Sequence, residues 1–164
     1  IVQIIGPTMV KVAIKLAKET GKNITEEDVI AKWQVADVLD AEVPMVKISD
    51  SVKEIVTLFS ESNYFCLPVV DQQNKTVGMI TINDLKELLI SQDTWEWILA
   101  GDILSTTSDV ITKTTSLEEA MTTLRQLGRE QLPVIESIEN PVPVGILDTR
   151  VVRKLVDKEM VGIK

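Results

Sequence analysis

The phrase Leu67-Pro68-Val69-Val70, followed by Val77-Gly78, returns as Leu132-Pro133-Val134-Ile135 and Val144-Gly145. An internal repeat constrains a fold more than any single motif does, because each copy is a unit that cannot bury its apolar face alone. At an offset of 65, Asp37-Val38-Leu39 falls on Asp102-Ile103-Leu104. In the same register Val52, Ile55, Val56 and Phe59 fall on Leu117, Ala120, Met121 and Leu124. The loop of the second copy is longer by two residues, so the offset becomes 67 from Val77 onward. Leu85, Leu88 and Leu89 then fall on Val152, Leu155 and Val156.

Each copy has the same local grammar. The spacing of Val52, Ile55, Val56 and Phe59 puts one apolar stripe on a helix, with Asp50 or Ser51 as its cap. Thr115 or Ser116 serves the second copy. The apolar run from Leu67 predicts a buried strand, "DQQNK" a polar turn, and "VGMITI" a second strand. A helix follows, with Leu85, Leu88 and Leu89 on one face. The order is β-α-β-β-α, with a helical crossover that permits parallel pairing of the first two strands and a hairpin joining the last two. The expected fold is therefore α/β (α+β): two such units packed with pseudo-two-fold symmetry, with clefts where they meet. Expected boundaries are residues 1–34 for an N-terminal helical segment, 35–98 for the first repeat and 99–160 for the second.

Composition narrows the function. The 164 residues carry a net charge of −8, which argues against nucleic acid as a partner, since phosphate contacts need a basic surface. The chain has no histidine, which removes Ser-His-Asp and Cys-His nucleophile systems and the usual zinc sites. Neither a P-loop nor a dinucleotide-binding glycine motif is present. An enzyme is the least favoured class, and no catalytic or metal-ligating set is assigned. The single cysteine, Cys66, suits a reducing compartment and reads as a small buried hydrophobe. Trp95 and Trp97, in the linker between copies, are expected to pack the junction.

The doubled "LPV[VI][DE]…VG" phrase, the stripe helix before it, and Gly78-x-x-Thr81-x-x-Asp84 together resemble a tandem pair of cystathionine-β-synthase (CBS) domains, a Bateman module, over about Val35 to Lys158. The resemblance implies a regulatory module that takes an adenine nucleotide (AMP, ADP or ATP) as ligand, with no cofactor required. Carried over by position, Thr81 and Asp84 are the polar adenosine contacts, and Met45, Val46, Cys66 and Pro68 line the base pocket. A carboxylate suits this role because it can accept hydrogen bonds from two vicinal ribose hydroxyls. Lys47, Arg129 and Arg150 are candidate phosphate partners. Asp84 as a plain helix cap is the competing reading, and the two roles can coexist. The second copy puts Asp148 at the hydroxyl position and Val151 at the acidic one, so one competent and one degenerate site are expected. Asp148 or Thr149 can cap the second helix there.

Before the repeats, "IVQIIGPTMVKVAIKLAKETGKN" places Lys11, Lys15, Lys18 and Lys22 on one helical stripe behind an apolar opening. A soluble amphipathic helix and the cytoplasmic end of a membrane span both fit this pattern. The segment is similar to the end of the last membrane helix in monovalent-cation/proton antiporters, and no initiator methionine opens the chain. That resemblance implies a homodimeric module on the cytoplasmic side of the cell membrane, controlling a transmembrane transport domain of the same chain. Thr25 with Asp28 resembles a capping box that starts a linker helix through Trp33. Two rival readings are a ligand-free dimerisation module and a divalent-cation sensor built on Glu26-Glu27-Asp28.

Overall fold

Local signals place the helices. A computed structural model describes residues 25–162 apart from 87, 89–91 and 107–108, so the lysine stripe and Leu89 lie outside the described residues. Helix α1, Glu26–Ile30, opens on the expected capping box: Thr25 accepts from the Asp28 amide while the Asp28 carboxylate accepts from the Thr25 amide. It ends at Ile30, short of Trp33. In the first repeat β1 is Val46–Lys47, α2 Val52–Ser60, β2 Cys66–Val70, β3 Thr76–Thr81 and α3 Ile82–Lys86. After a second lead-in helix, α4 (Ala100–Ile103), the second repeat runs β4 Ile111–Thr112, α5 Leu117–Leu127, β5 Gln131–Ile135, β6 Pro143–Asp148 and α6 Thr149–Gly162. Ser51 and Ser116 are the caps of α2 and α5.

The stripe residues turn inward as expected. Val52, Ile55, Leu117, Ala120 and Leu124 are buried, and Val56, Phe59 and Met121 pack partly against them. Each repeat makes a three-stranded sheet, ordered β1-β2-β3 and β4-β5-β6. The first pair in each sheet is parallel and the second antiparallel. Strands β2 and β5 are buried along their whole length and lie against one another between the sheets.

The copies are also interlaced, which local patterning does not reveal. The residues ahead of each β1-type strand dock on the opposite repeat. Val35 and Ala36 donate to the carbonyls of Thr115 and Lys113, and Asp40 exchanges two backbone hydrogen bonds of 2.9 Å with Ile146 on β6. The counterpart segment mirrors this: Ala100 and Gly101 donate to Asp50 and Ile48, and Ser105 exchanges bonds of 2.9 and 3.1 Å with Met79 on β3. Helix α1 continues the crossing and packs on α5 and α6.

The repeated glycine has its reason here. A Cβ on Gly78 would stand 2.6 Å from the Ser105 carbonyl oxygen, and one on Gly145 would overlap that of Asp40. The crossing backbone leaves room only for hydrogen. Trp95 behaves as expected, half-buried with its indole N–H donating to the Leu88 carbonyl at 2.9 Å. Trp97 does not: it is 81% exposed, because the turn that seats Trp95 directs it to solvent.

Candidate functional site

Two clefts flank the contact between β2 and β5, related by the same pseudo-symmetry as the repeats. The first, about 570 Å³, lies among the start of β2 (Phe65, Cys66), the β3–α3 junction (Thr81 to Asp84) and the turn from α5 into β5 (Gly128 to Gln131). Both copies therefore build it.

The β3–α3 junction is held by a reciprocal capping box. The Asp84 Oδ2 accepts from the Thr81 amide at 2.7 Å and from its hydroxyl at 2.8 Å, while Thr81 Oγ1 accepts from the Asp84 amide at 3.3 Å. Thr81 is thus the cap and Asp84 the third residue of α3. The other carboxylate oxygen, Oδ1, has one long contact, 3.4 Å, from the Ser105 hydroxyl. Capping fixes the carboxylate through Oδ2 and leaves acceptor capacity on Oδ1.

The opposite wall depends on Gly128, whose left-handed conformation (φ 62°) ends α5. The Arg129 amide returns to the Leu124 carbonyl and the Gly128 amide to that of Arg125, which turns the chain sharply and delivers Arg129 to the cleft. The Arg129 guanidinium lies 3.5 Å from the Asp109 carboxylate and 3.6 Å from the Met79 sulfur. Burial pushes the Cys66 thiol up to about 12, with Arg129 pulling weakly the other way.

The second cleft, about 740 Å³, is lined by the counterparts: Asn63 and Tyr64 for Gly128 and Arg129, Asp148 for Thr81, Arg150 for Asn83 and Val151 for Asp84. Its central carboxylate, Asp148, is already engaged. Asp148 accepts from Gln131 Nε2 at 2.6 Å, the Arg150 amide at 2.7 Å and Arg150 Nη2 at 2.6 Å. The Arg150 guanidinium also donates to the Asn63 carbonyl and lies 4.4 Å from the Phe65 ring centroid. Burial alone would raise the Asp148 carboxyl, but the hydrogen bonds from Arg150 and Gln131 outweigh it and hold it below the usual range. The Tyr64 hydroxyl donates to Asp40 at 2.8 Å, and burial, reinforced by that carboxylate, pushes it up to about 12.

Of the residues singled out in the sequence, Thr81, Asp84, Cys66 and Arg129 come together in the first cleft. Arg150 belongs to the second. Met45 is 47% exposed ahead of β1, Lys47 is exposed on β1, and Val46 and Pro68 are buried in the first sheet. None of these four lines the first cleft. Sequence reasoning missed Gln131, which joins the clefts by accepting from the Phe65 amide at 2.6 Å while donating to Asp148. A polar residue aligned with Cys66 at the head of an apolar strand is the trace it leaves. The Glu26-Glu27-Asp28 cluster spends Asp28 on the cap, and among the described residues no group of three acidic or thiol side chains is placed to hold a metal ion.

This architecture is two β-α-β-β-α units related by a pseudo-two-fold, with a cleft of about 570 Å³ between them. The fold is that of a CBS domain pair. Residues 35–91 match the CBS domain family. The structure is similar to CBSX2 in complex with AMP, at 26% identity and a TM-score of 0.65, covering 77% of this chain and 98% of that one. In sequence the chain is similar to inosine-5'-monophosphate dehydrogenase of Methanocaldococcus jannaschii, 27% identical over 88% of this chain and 29% of that protein. It is also similar to the magnesium transporter MgtE of Thermus thermophilus, 28% identical over 38% of this chain and 14% of the transporter. The chain thus spans between 14% and 29% of the curated relatives it matches. Among the described residues no helix is long and apolar enough to cross a membrane.

Proposed function

We propose that the chain is a regulatory module that binds an adenine nucleotide in the first cleft, with the Asp84 carboxylate holding the ribose hydroxyls and Arg129 facing the phosphate. The observation that carries this reading is the pairing of a pre-oriented carboxylate on one repeat with a guanidinium on the other, across one cleft of about 570 Å³. The AMP bound to CBSX2 supports the ligand class. The base would lie against Phe65, Cys66 and Ile82, and Thr81 would act through Asp84, which accepts a hydrogen bond from its hydroxyl. The second cleft stays closed to nucleotide because Arg150 and Gln131 saturate Asp148 and Val151 offers no acceptor.

Because the repeats contribute opposite walls, a ligand changes their packing to the extent that it binds one arrangement more tightly than another. The match to MgtE and the antiporter-like N-terminal segment support a membrane transport domain as the attached target, with the module acting as a homodimer on the cytoplasmic side. A thermal-shift screen with AMP, ADP and ATP tests the binding step. A nucleotide at a hundred times its Kd adds about 2.7 kcal/mol, a rise of several degrees in Tm. A shift seen with the native chain and absent in Asp84→Ala supports the reading. No shift with any nucleotide overturns it in favour of a dimerisation module.

A further inference from the structure

The charges around the first cleft limit how much phosphate it can hold. Among the described residues Arg129 is the one cation lining it, beside Asp84 and Glu130. Arg129 is not uncommitted, since its Nη1 lies 3.5 Å from Asp109, and both side chains are about one-third exposed at 32%. With Asp84 on the ribose, the 5′ group must share this guanidinium with an aspartate already in place. A single phosphate can compete for it, because a guanidinium presents several donors and can bridge two oxyanions. A second or third phosphate finds no further cation and lies among the carboxylates of Asp109 and Glu130, where like charges repel.

Resting on the nucleotide-binding reading, we propose that the cleft selects a nucleoside monophosphate over di- and triphosphates, and that Asp109 is the specificity-determining residue. Asp109 acts by occupying Arg129 and by repelling phosphates beyond the first. It precedes β4, outside the strands and away from the Asp84 capping box, so its carboxylate can be neutralised without disturbing the ribose side of the cleft.

The test is calorimetric titration of the whole chain with adenosine, AMP, ADP and ATP, without magnesium at low ionic strength, for the native chain, Asp109→Asn and Glu130→Gln. AMP is expected to bind at least tenfold more tightly than ATP. Asp109→Asn is expected to tighten ATP more than AMP and to leave adenosine unchanged. Glu130→Gln, which keeps the ion pair, is expected to tighten ATP by a smaller factor. ATP binding as tightly as AMP to the native chain would overturn the inference and leave the nucleotide site standing. A uniform change in all four ligands, adenosine included, would also overturn it, because that is the mark of a merely structural role. Failure of all four to bind would instead refute the nucleotide-binding reading itself.

Discussion

Gly145→Ala is the sharpest perturbation of the interlaced core. The added methyl would overlap the Asp40 carbonyl oxygen and sit 2.8 Å from the Leu39 Cδ1. The chain can relieve this only by moving the crossing segment off β6. That breaks the two 2.9 Å bonds exchanged between Asp40 and Ile146, at a net cost of about 1 kcal/mol each. Residual crowding in a packed site, together with the positive φ of 157° at Gly145, adds about 1 kcal/mol or more. The expected loss is about 3 kcal/mol, or a drop of roughly 6–12 °C in Tm for a chain of this size. Gly128→Ala is the internal control: its φ of 62° strains any side chain, but a Cβ there meets nothing within 4 Å. It should cost only about 1 kcal/mol, the left-handed penalty alone. Urea unfolding of the three proteins, read by tryptophan fluorescence, measures both differences. If Gly145→Ala costs no more than Gly128→Ala, the lead-in segment is not seated against β6 and the account of the repeated glycine fails.

Two further predictions concern single groups. The Asp148 carboxyl is depressed below its unfolded value, so its stabilisation is present above the ordinary carboxylate pKa and is lost as pH falls through the folded one. Native melting temperatures should therefore fall below about pH 4, and Asp148→Asn should flatten that acid limb while lowering Tm at neutral pH; an acid limb of unchanged slope refutes the assignment. Cys66, buried and raised to about 12, should react with a thiol reagent at neutral pH orders of magnitude more slowly in the folded chain than in urea. Prompt reaction in native buffer would place the thiol at the surface.

What could be read from the sequence follows the range of each interaction. Stripe helices, caps and hairpins rest on residues a few positions apart, and Val52 to Phe59, Ser51 and the strand at Val77 to Thr81 took the expected places, while Ile82, expected in that strand, opens α3. The pseudo-two-fold could be read because strand bounds repeat at the same offsets, 66–70 on 131–135 and 76–81 on 143–148. The interlacing could not, since Asp40 and Ile146 lie on different repeats and carry no complementary signature. Its only trace was the recurrence of Gly78 and Gly145, which reads equally as turn chemistry. In the site, Thr81 and Asp84 could be placed because one short motif spans them. Arg129 could be proposed only as a nearby cation. Its pairing with Asp109, and the engagement of Asp148 by Gln131 across the two clefts, are side-chain events between segments that periodicity does not link. Trp97 shows the limit at a junction, where one of two neighbouring tryptophans packs and the other is turned out.

On the proposed reading each chain holds one nucleotide, in the first cleft. Isothermal titration of AMP into the native chain, Asp84→Ala and Val151→Ala measures it directly. Asp84→Ala also breaks the carboxylate half of the capping box at the start of α3, a loss of about 1 kcal/mol, so each protein must first be shown folded at the titration temperature. The account predicts a stoichiometry of one for the native chain, binding lost or weakened at least tenfold in Asp84→Ala, and an unchanged isotherm in Val151→Ala. Two equivalents per chain, or equal losses in the two variants, would contradict it.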